Sequence, residues 1–233
     1  MLGAFLDLCV PLTYLKERLS LLHLDEFTLT AERISVSGRE AVSADVVLRN
    51  PADIGRDPYG GRYRNYRDIK ALIGGSGLND REKDLSLKIF GIKAEAEARV
   101  HGVDIDEVQF HEAGAVDSVV DIVGAAVCFG YVNADKVISR HVPTGYGTVK
   151  CACGILPVPA PAVKQILDDT GIPSYTSDVK KELLTPTGAS IIAVVADEFA
   201  CRDIENGIIE RGRGAGKRDT GLPPLELILY EEE

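Results

Sequence analysis

Apolar and polar positions along this chain recur with several periods, and each period predicts an element. Leu2 to Leu22 carries helical spacing interrupted near Pro11, a residue that cannot continue a helix. From Phe27 to Ser37, Phe27, Leu29 and Ala31 alternate with polar neighbours; Ser37-Gly38 then punctuates, and Ala41 to Leu48 is again rich in β-branched residues. Two such runs around a glycine predict an antiparallel hairpin. Asn50 to Tyr66, with two prolines and three glycines, reads as a turn-rich loop. Asn79 or Asp80 caps a long helix in which Leu85, Ile89, Ile92, Ala96 and Val100 step by three and four, with Gly102 as its stop. Ala115 to Val132 is apolar almost all round, the mark of a helix buried on most sides. A strand over Val137 to Val142, an extended proline wall at Pro157, Pro159 and Pro161, a helix over Ala162 to Asp169 and a helix over Thr187 to Phe199 follow. Leu225 to Tyr230 reads as a final strand. Strands do not alternate regularly with helices, so the expected class is α+β: a mixed sheet with a β-hairpin, packed against several helices including one largely buried helix.

Composition narrows the function classes. With 233 residues the chain is long enough to bury a sizeable core. Its 26 Lys+Arg against 36 Asp+Glu give a net charge of −10, which argues against a general nucleic-acid binder, because phosphate affinity rests on cations. The five cysteines, at 9, 128, 151, 153 and 201, are odd in number and irregular in spacing; free thiols in a reducing compartment fit better than a disulfide scaffold. The N-terminus lacks a basic region ahead of its apolar run. The longest uncharged apolar stretch, residues 122–132, is short of the roughly 18 residues a membrane span needs. A cytoplasmic location is expected.

Five places carry candidate chemistry. In Phe110-His-Glu-Ala-Gly-Ala-Val-Asp-Ser-Val-Val-Asp121, a helix starting near Gly114 puts Asp117 and Asp121 on one face, with His111 and Glu112 just ahead of it. Carboxylates in an apolar helix are costly unless they pair, accept hydrogen bonds or bind a metal; a cap and an ion pair are the alternatives. Cys151-Ala-Cys153 offers two thiols to a soft or borderline metal, or simply two small buried hydrophobes. In Glu182-Leu-Leu-Thr-Pro-Thr-Gly188, Thr185 and Thr187 beside a helix start are placed to hold a phosphate or carboxylate, or to cap the helix. Arg211-Gly-Arg-Gly-Ala-Gly-Lys-Arg218 is not a P-loop and reads as a solvated basic turn before a phosphate-touching loop. Arg56, Tyr59, Arg62, Tyr63, Arg64, Tyr66 and Arg67 interleave in a pattern suited to nucleotide stacking or to a surface loop.

Three of these strings in order, FHEAGAVDSVVDIVGAA (110–126), GTVKCACGILPVPAPAV (147–163) and ELLTPTGASII (182–192), supported by YRDIKALI (66–73) and AEAEARVHG (94–102), resemble the LarC-type nickel insertion proteins of nickel-pincer cofactor biosynthesis. The resemblance runs over about residues 2–215. It implies a lyase-like activity: insertion of Ni²⁺ into a pyridinium bisthiocarboxylic acid mononucleotide, with hydrolysis of CTP. It also implies metal handling by His111, Glu112, Asp117, Asp121, Cys151 and Cys153, and substrate binding by Glu182, Thr185, Thr187 and Gly188, with the glycine-rich basic stretch 211–218 as the alternative receiver of the substrate's phosphate. Ni²⁺ accepts imidazole, thiolate and carboxylate ligands, which matches this inventory. Gln109 and Cys153 stand where the family usually shows His, Lys180 and Lys181 where it shows Glu and Gly, and the loop before YRDI lacks the family's histidines. The sequence corresponds to the family's N-terminal portion as one domain over 1–233, with 201–233 a basic glycine-rich turn and final strand. CTP chemistry, with Mg²⁺ or Mn²⁺, is therefore expected to need a C-terminal partner chain. An oligomer is left open. The alternative is a non-catalytic metal-binding or scaffold protein derived from the same family.

Overall fold

A computed structural model describes residues 1–24, 27–48, 64–110, 116–151, 154–216 and 220–231. Helices α1 (Leu2–Leu8) and α2 (Leu12–Ser20) are separated at Pro11, which sits extended at the N-cap of α2. Strands β1 (Phe27–Val36) and β2 (Arg39–Leu48) pair antiparallel from Phe27 opposite Leu48 to Val36 opposite Arg39. The turn between them places Ser37 and Gly38 at positive φ, the geometry that matches the twist of a two-residue hairpin.

Both α3 (Tyr66–Gly74) and α4 (Asp80–His101) open on capping boxes, Asn65 with Asp68 and Asn79 with Glu82. Gly102 at φ 66° stops α4. Helix α5 (Val116–Val132) has eleven buried residues out of seventeen, because α1, α2, α4 and a later helix over Pro186–Val195 all pack on it. The expected enclosed helix is present. Beyond it come β3 (Ile138–Ser139), β4 (Val142–Pro143), the β5 (Gly147–Cys151) and β6 (Gly154–Val158) hairpin, α6 (Pro161–Thr170), β7 (Ser174–Tyr175), α7 (Pro186–Val195), β8 (Glu198–Phe199), β9 (Ile208–Ala215) and β10 (Leu225–Tyr230). The main sheet is mixed, in the order β1-β2-β9-β10, with β2 and β9 parallel. The larger core surrounds α5; a smaller one, with Val163, Ile166, Leu184 and Ala189, lies where α6 and α7 meet α4.

Three local expectations change. The strand expected over 137–142 is two short pieces, β3 and β4, each paired in parallel with a later strand. The helix expected to reach Phe199 ends at Val195, because Glu198 and Phe199 pair with Ile138 and Ser139 instead. The basic glycine-rich stretch expected as a turn is strand β9 up to Ala215. Its glycines are contact points: a Cβ on Gly212 would lie 2.2 Å from the Ala4 carbonyl oxygen, and one on Gly214 2.3 Å from the Ala4 nitrogen. Helix α1 lies directly on the strand, and only glycine permits that approach. Arg211 and Arg213 both bind the Glu226 carboxylate, at 3.0 and 2.8 Å. Two of the four cations are therefore engaged within the sheet; Lys217 and Arg218 lie outside the described residues.

Candidate functional site

The site begins on α4. The apolar spacing predicted one buried stripe, but the most enclosed positions are Glu82, Ser86, Ile89, Phe90, Lys93, Ala94 and Ala96, while Val100 is exposed. Three polar residues tolerate burial there because each meets a partner from elsewhere or from the helix itself. Glu82 takes a two-pronged bond from the Arg18 guanidinium, the Nε contact being 3.0 Å. Ser86 donates to the Glu82 carbonyl. Lys93 Nζ donates to Ser118 Oγ of α5 at 2.8 Å and to Thr187 Oγ1 of α7 at 3.0 Å, and stands 5.1 Å from the centroid of the Phe110 ring. One ammonium thus joins three helices and faces an aromatic surface.

Lys93 lines a cavity of about 110 Å³. Glu97 and His101, on the next turns of α4, line it too, and so do Gln109 and Phe110. The opposite wall is apolar: Val149 and Leu156 of the β5–β6 hairpin and Pro161 at the start of α6. Cys151, at the end of β5, and Glu182, ahead of α7, complete it. The hairpin can present Cys151 because Cys151 pairs with Gly154 across its tip, and Gly154 supplies the positive φ the turn demands. The Cys151 thiol donates to the Gly154 carbonyl at 3.4 Å.

The three strings singled out in the sequence therefore meet: Phe110 from the first, with Gln109 just ahead of it, Cys151 from the second, Glu182 and Pro186 from the third. His111, Glu112 and Cys153 lie outside the described residues, as do Arg56, Tyr59, Arg62 and Tyr63. Asp117 is half-buried in the first turn of α5, next to Ser118, which accepts from Lys93. Asp121 is placed elsewhere. It is exposed, and its charge offsets only part of the burial that lowers the pKa of the Met1 amine at the start of α1. Thr185 takes the capping role, accepting from the Gly188 N–H at 3.1 Å, while Thr187 turns its hydroxyl to Lys93. Tyr66, expected in a loop, is a core residue at the first position of α3, its N–H bonded to the Val108 carbonyl. Among the described residues no three His, Cys, Asp or Glu side chains gather tightly enough to hold a metal ion. Lys93, Glu97 and His101 escaped sequence reasoning. The one signal available was a lysine on the same helical stretch as Ile89, Ile92 and Ala96.

A family model described as nickel insertion protein matches residues 1–232. The chain belongs to the nickel insertion protein family. It is 42% identical over 238 residues to the pyridinium-3,5-bisthiocarboxylic acid mononucleotide nickel insertion protein of Clostridium kluyveri, across 100% of this chain and 59% of that protein. To the protein of the same name from Acetivibrio thermocellus it is 41% identical, across 98% of this chain and 56% of the relative. A protein of Geotalea uraniireducens named putative nickel insertion protein is 40% identical, across 99% and 57%. The chain thus spans rather more than half the length of the curated relatives it matches. No solved structure matches. For a nickel insertion family member the cavity's donor types are chemically apt, since thiol, imidazole and carboxylate all suit a borderline metal.

Proposed function

We propose that this chain binds Ni²⁺ and takes part in its insertion into a pyridinium bisthiocarboxylic acid mononucleotide, the substrate in the names of its relatives from Clostridium kluyveri and Acetivibrio thermocellus. Nickel is cargo in this reading. Cys151 and Cys153 offer thiolate, His111 imidazole, and Glu112 and Asp117 carboxylate; Asp121, near the Met1 amine, stands apart from this set. Glu182, Thr187 and the start of α7 with Thr185 and Gly188 serve the mononucleotide. CTP hydrolysis, with Mg²⁺ or Mn²⁺, belongs to the part of the relatives' length that this chain does not span, whether joined to it or supplied by a partner chain.

The observation that carries the reading is the convergence of Cys151, Glu182 and Phe110, the neighbour of His111, on one cavity. A metal can pass to a ligand only if both are held within bonding reach, and Cys151 and Glu182 stand 31 positions apart in the chain. Calorimetric titration with Ni²⁺ tests it. The wild type is expected to bind more tightly than about 100 µM, and His111→Ala and Cys153→Ser to weaken binding. No binding in that range defeats the proposal. Binding that persists without nickel incorporation, when the portion of the relatives that this chain does not span is supplied together with CTP and the precursor, selects the non-catalytic alternative.

A further inference from the structure

We propose that the β5–β6 hairpin is a clamp for the aromatic ring of the substrate, closing on it through Val149 and Leu156. The inference rests on the functional reading above and deepens it.

The hairpin alternates along both strands. Thr148, Lys150, Ile155 and Pro157 are exposed, Ile155 to 73%, while Val149, Cys151 and Leu156 line the cavity. Val149 and Leu156 are register partners across the two strands, so their side chains stand side by side as one apolar patch. No residue of 147–151 or 154–158 belongs to either hydrophobic core. Among the described residues, no hydrogen bond or ion pair joins these strands to the rest of the chain; their ladder and the Cys151–Gly154 contact are internal. The hairpin only leans on α6. A two-stranded hairpin on its own is marginally stable in water, and a segment with so few buried contacts opens at low cost. Two half-buried apolar side chains on such an element do not hold the fold together. They become fully buried when a ligand fills the space they face.

The size of that space selects the ligand group. At about 110 Å³ it approaches the roughly 150 Å³ of an apolar cavity that takes up benzene, and it falls well short of the roughly 300 Å³ or more that encloses a drug-sized molecule. One ring enters, and the ribose and phosphate of a mononucleotide stay outside. The small shortfall is one that so loosely held a wall can give. Phe110 and Pro161 add apolar lining for a flat ring, and the pyridinium in the names of the relatives is such a ring.

Hydrogen exchange and calorimetry on the full chain test the clamp, with 1-methylpyridinium-3,5-dicarboxylate as the ring probe and ribose 5-phosphate as the control without a ring. A probe that binds only the closed hairpin slows exchange of the amides of 148–150 and 155–156 by 1 + [L]/Kd, about elevenfold at ten times Kd, and leaves α5 unchanged. Leu156→Ala is expected to weaken ring binding at least fivefold and Val149→Ala two- to fivefold, each with a melting temperature within about 2 °C of wild type. Ile155→Ser, on the outer face, should change affinity less than twofold. Ring binding without protection of the hairpin overturns the proposal. So do a wild type that binds no ring probe, equal affinity in Leu156→Ala, and protection by ribose 5-phosphate. A Leu156→Ala chain that fails to fold would make the hairpin part of the core, which overturns it equally. Ni²⁺ titration of the same samples keeps the two readings apart. Nickel binding beside a ring site independent of Leu156 defeats the clamp alone, and a Leu156-dependent ring site in a chain that binds no nickel defeats the functional reading alone.

Discussion

Substituting Gly212 by alanine tests whether the basic glycine-rich stretch is a docking strand. The new Cβ would lie 2.2 Å from the Ala4 oxygen, 2.4 Å from the Leu8 nitrogen and 2.6 Å from the Leu8 Cβ, where ordinary contact begins at 3.4 Å. All three are rigid, two of them backbone, so α1 must retreat by about 1 Å. A gap of that size forfeits up to about half of the dispersion contacts across it. Helix α1 buries Leu2, Phe5 and Leu8, each contributing about 2 kcal/mol. Losing half gives a destabilisation of about 3 kcal/mol, within the range that overpacked sites reach. In urea, with a slope of about 2–3 kcal/mol per molar, the midpoint should fall by about 1 M. Gly216→Ala is the control: a Cβ there meets nothing within 4 Å, so its stability should stay within about 0.5 kcal/mol of wild type. An unchanged midpoint for Gly212→Ala would refute the docking of α1 on β9. Loss of ligand binding at full stability would restore the phosphate-loop reading.

Further expectations concern buried polar groups. Arg18→Met leaves the Glu82 carboxylate, 3% exposed, with the Asn79 N–H; water reaches the vacated Arg18 side, so the loss should be about 2 kcal/mol rather than the 3–5 of a fully buried pair. Adding Glu82→Gln should recover part of that loss in chemical denaturation, and no recovery would mean that the charge is not the cause. Burial pushes the Cys128 thiol from 9.0 up to about 12, so it should resist iodoacetamide at pH 8 while the exposed Cys201 is modified. A raised native pKa contributes stability that is complete below pH 9 and lost as pH rises towards 12. Cys128→Ala should therefore show a shallower decline of stability over that window, and an identical alkaline profile would contradict the placement of Cys128 in the core.

Much of the fold was legible because its signals are local. The capping residues Asn79 and Gly102, the Ser37-Gly38 turn, the break at Pro11 and the all-round apolarity of α5 each act within a few residues of where they stand. What escaped was set by partners remote in sequence. Gly212 and Gly214 look like turn residues until α1, some 200 positions earlier, is seen to rest on them. The end of α7 is fixed by pairing with Ile138 and Ser139, which no helical period reveals. In the site, Cys151 and Glu182 were visible as residue types in strings, whereas Lys93 was not. Its partners come from 25 and 94 positions away, and a lysine on a long helix ordinarily means solvent. Asp117 and Asp121 were grouped by their shared helical face, yet one stands beside the Lys93 network and the other beside the chain's first residue. Helical periodicity reports a face but not what covers it.

The central claim is that three separated strings build one place where nickel meets its acceptor. Diffraction from nickel-soaked crystals of the chain, collected on both sides of the nickel absorption edge, tests it most directly. An anomalous peak within coordination distance of the Cys151 sulfur, on the cavity shared with Glu182 and Lys93, is the expected result. Nickel found only on the outer surface, with that cavity empty, would contradict it.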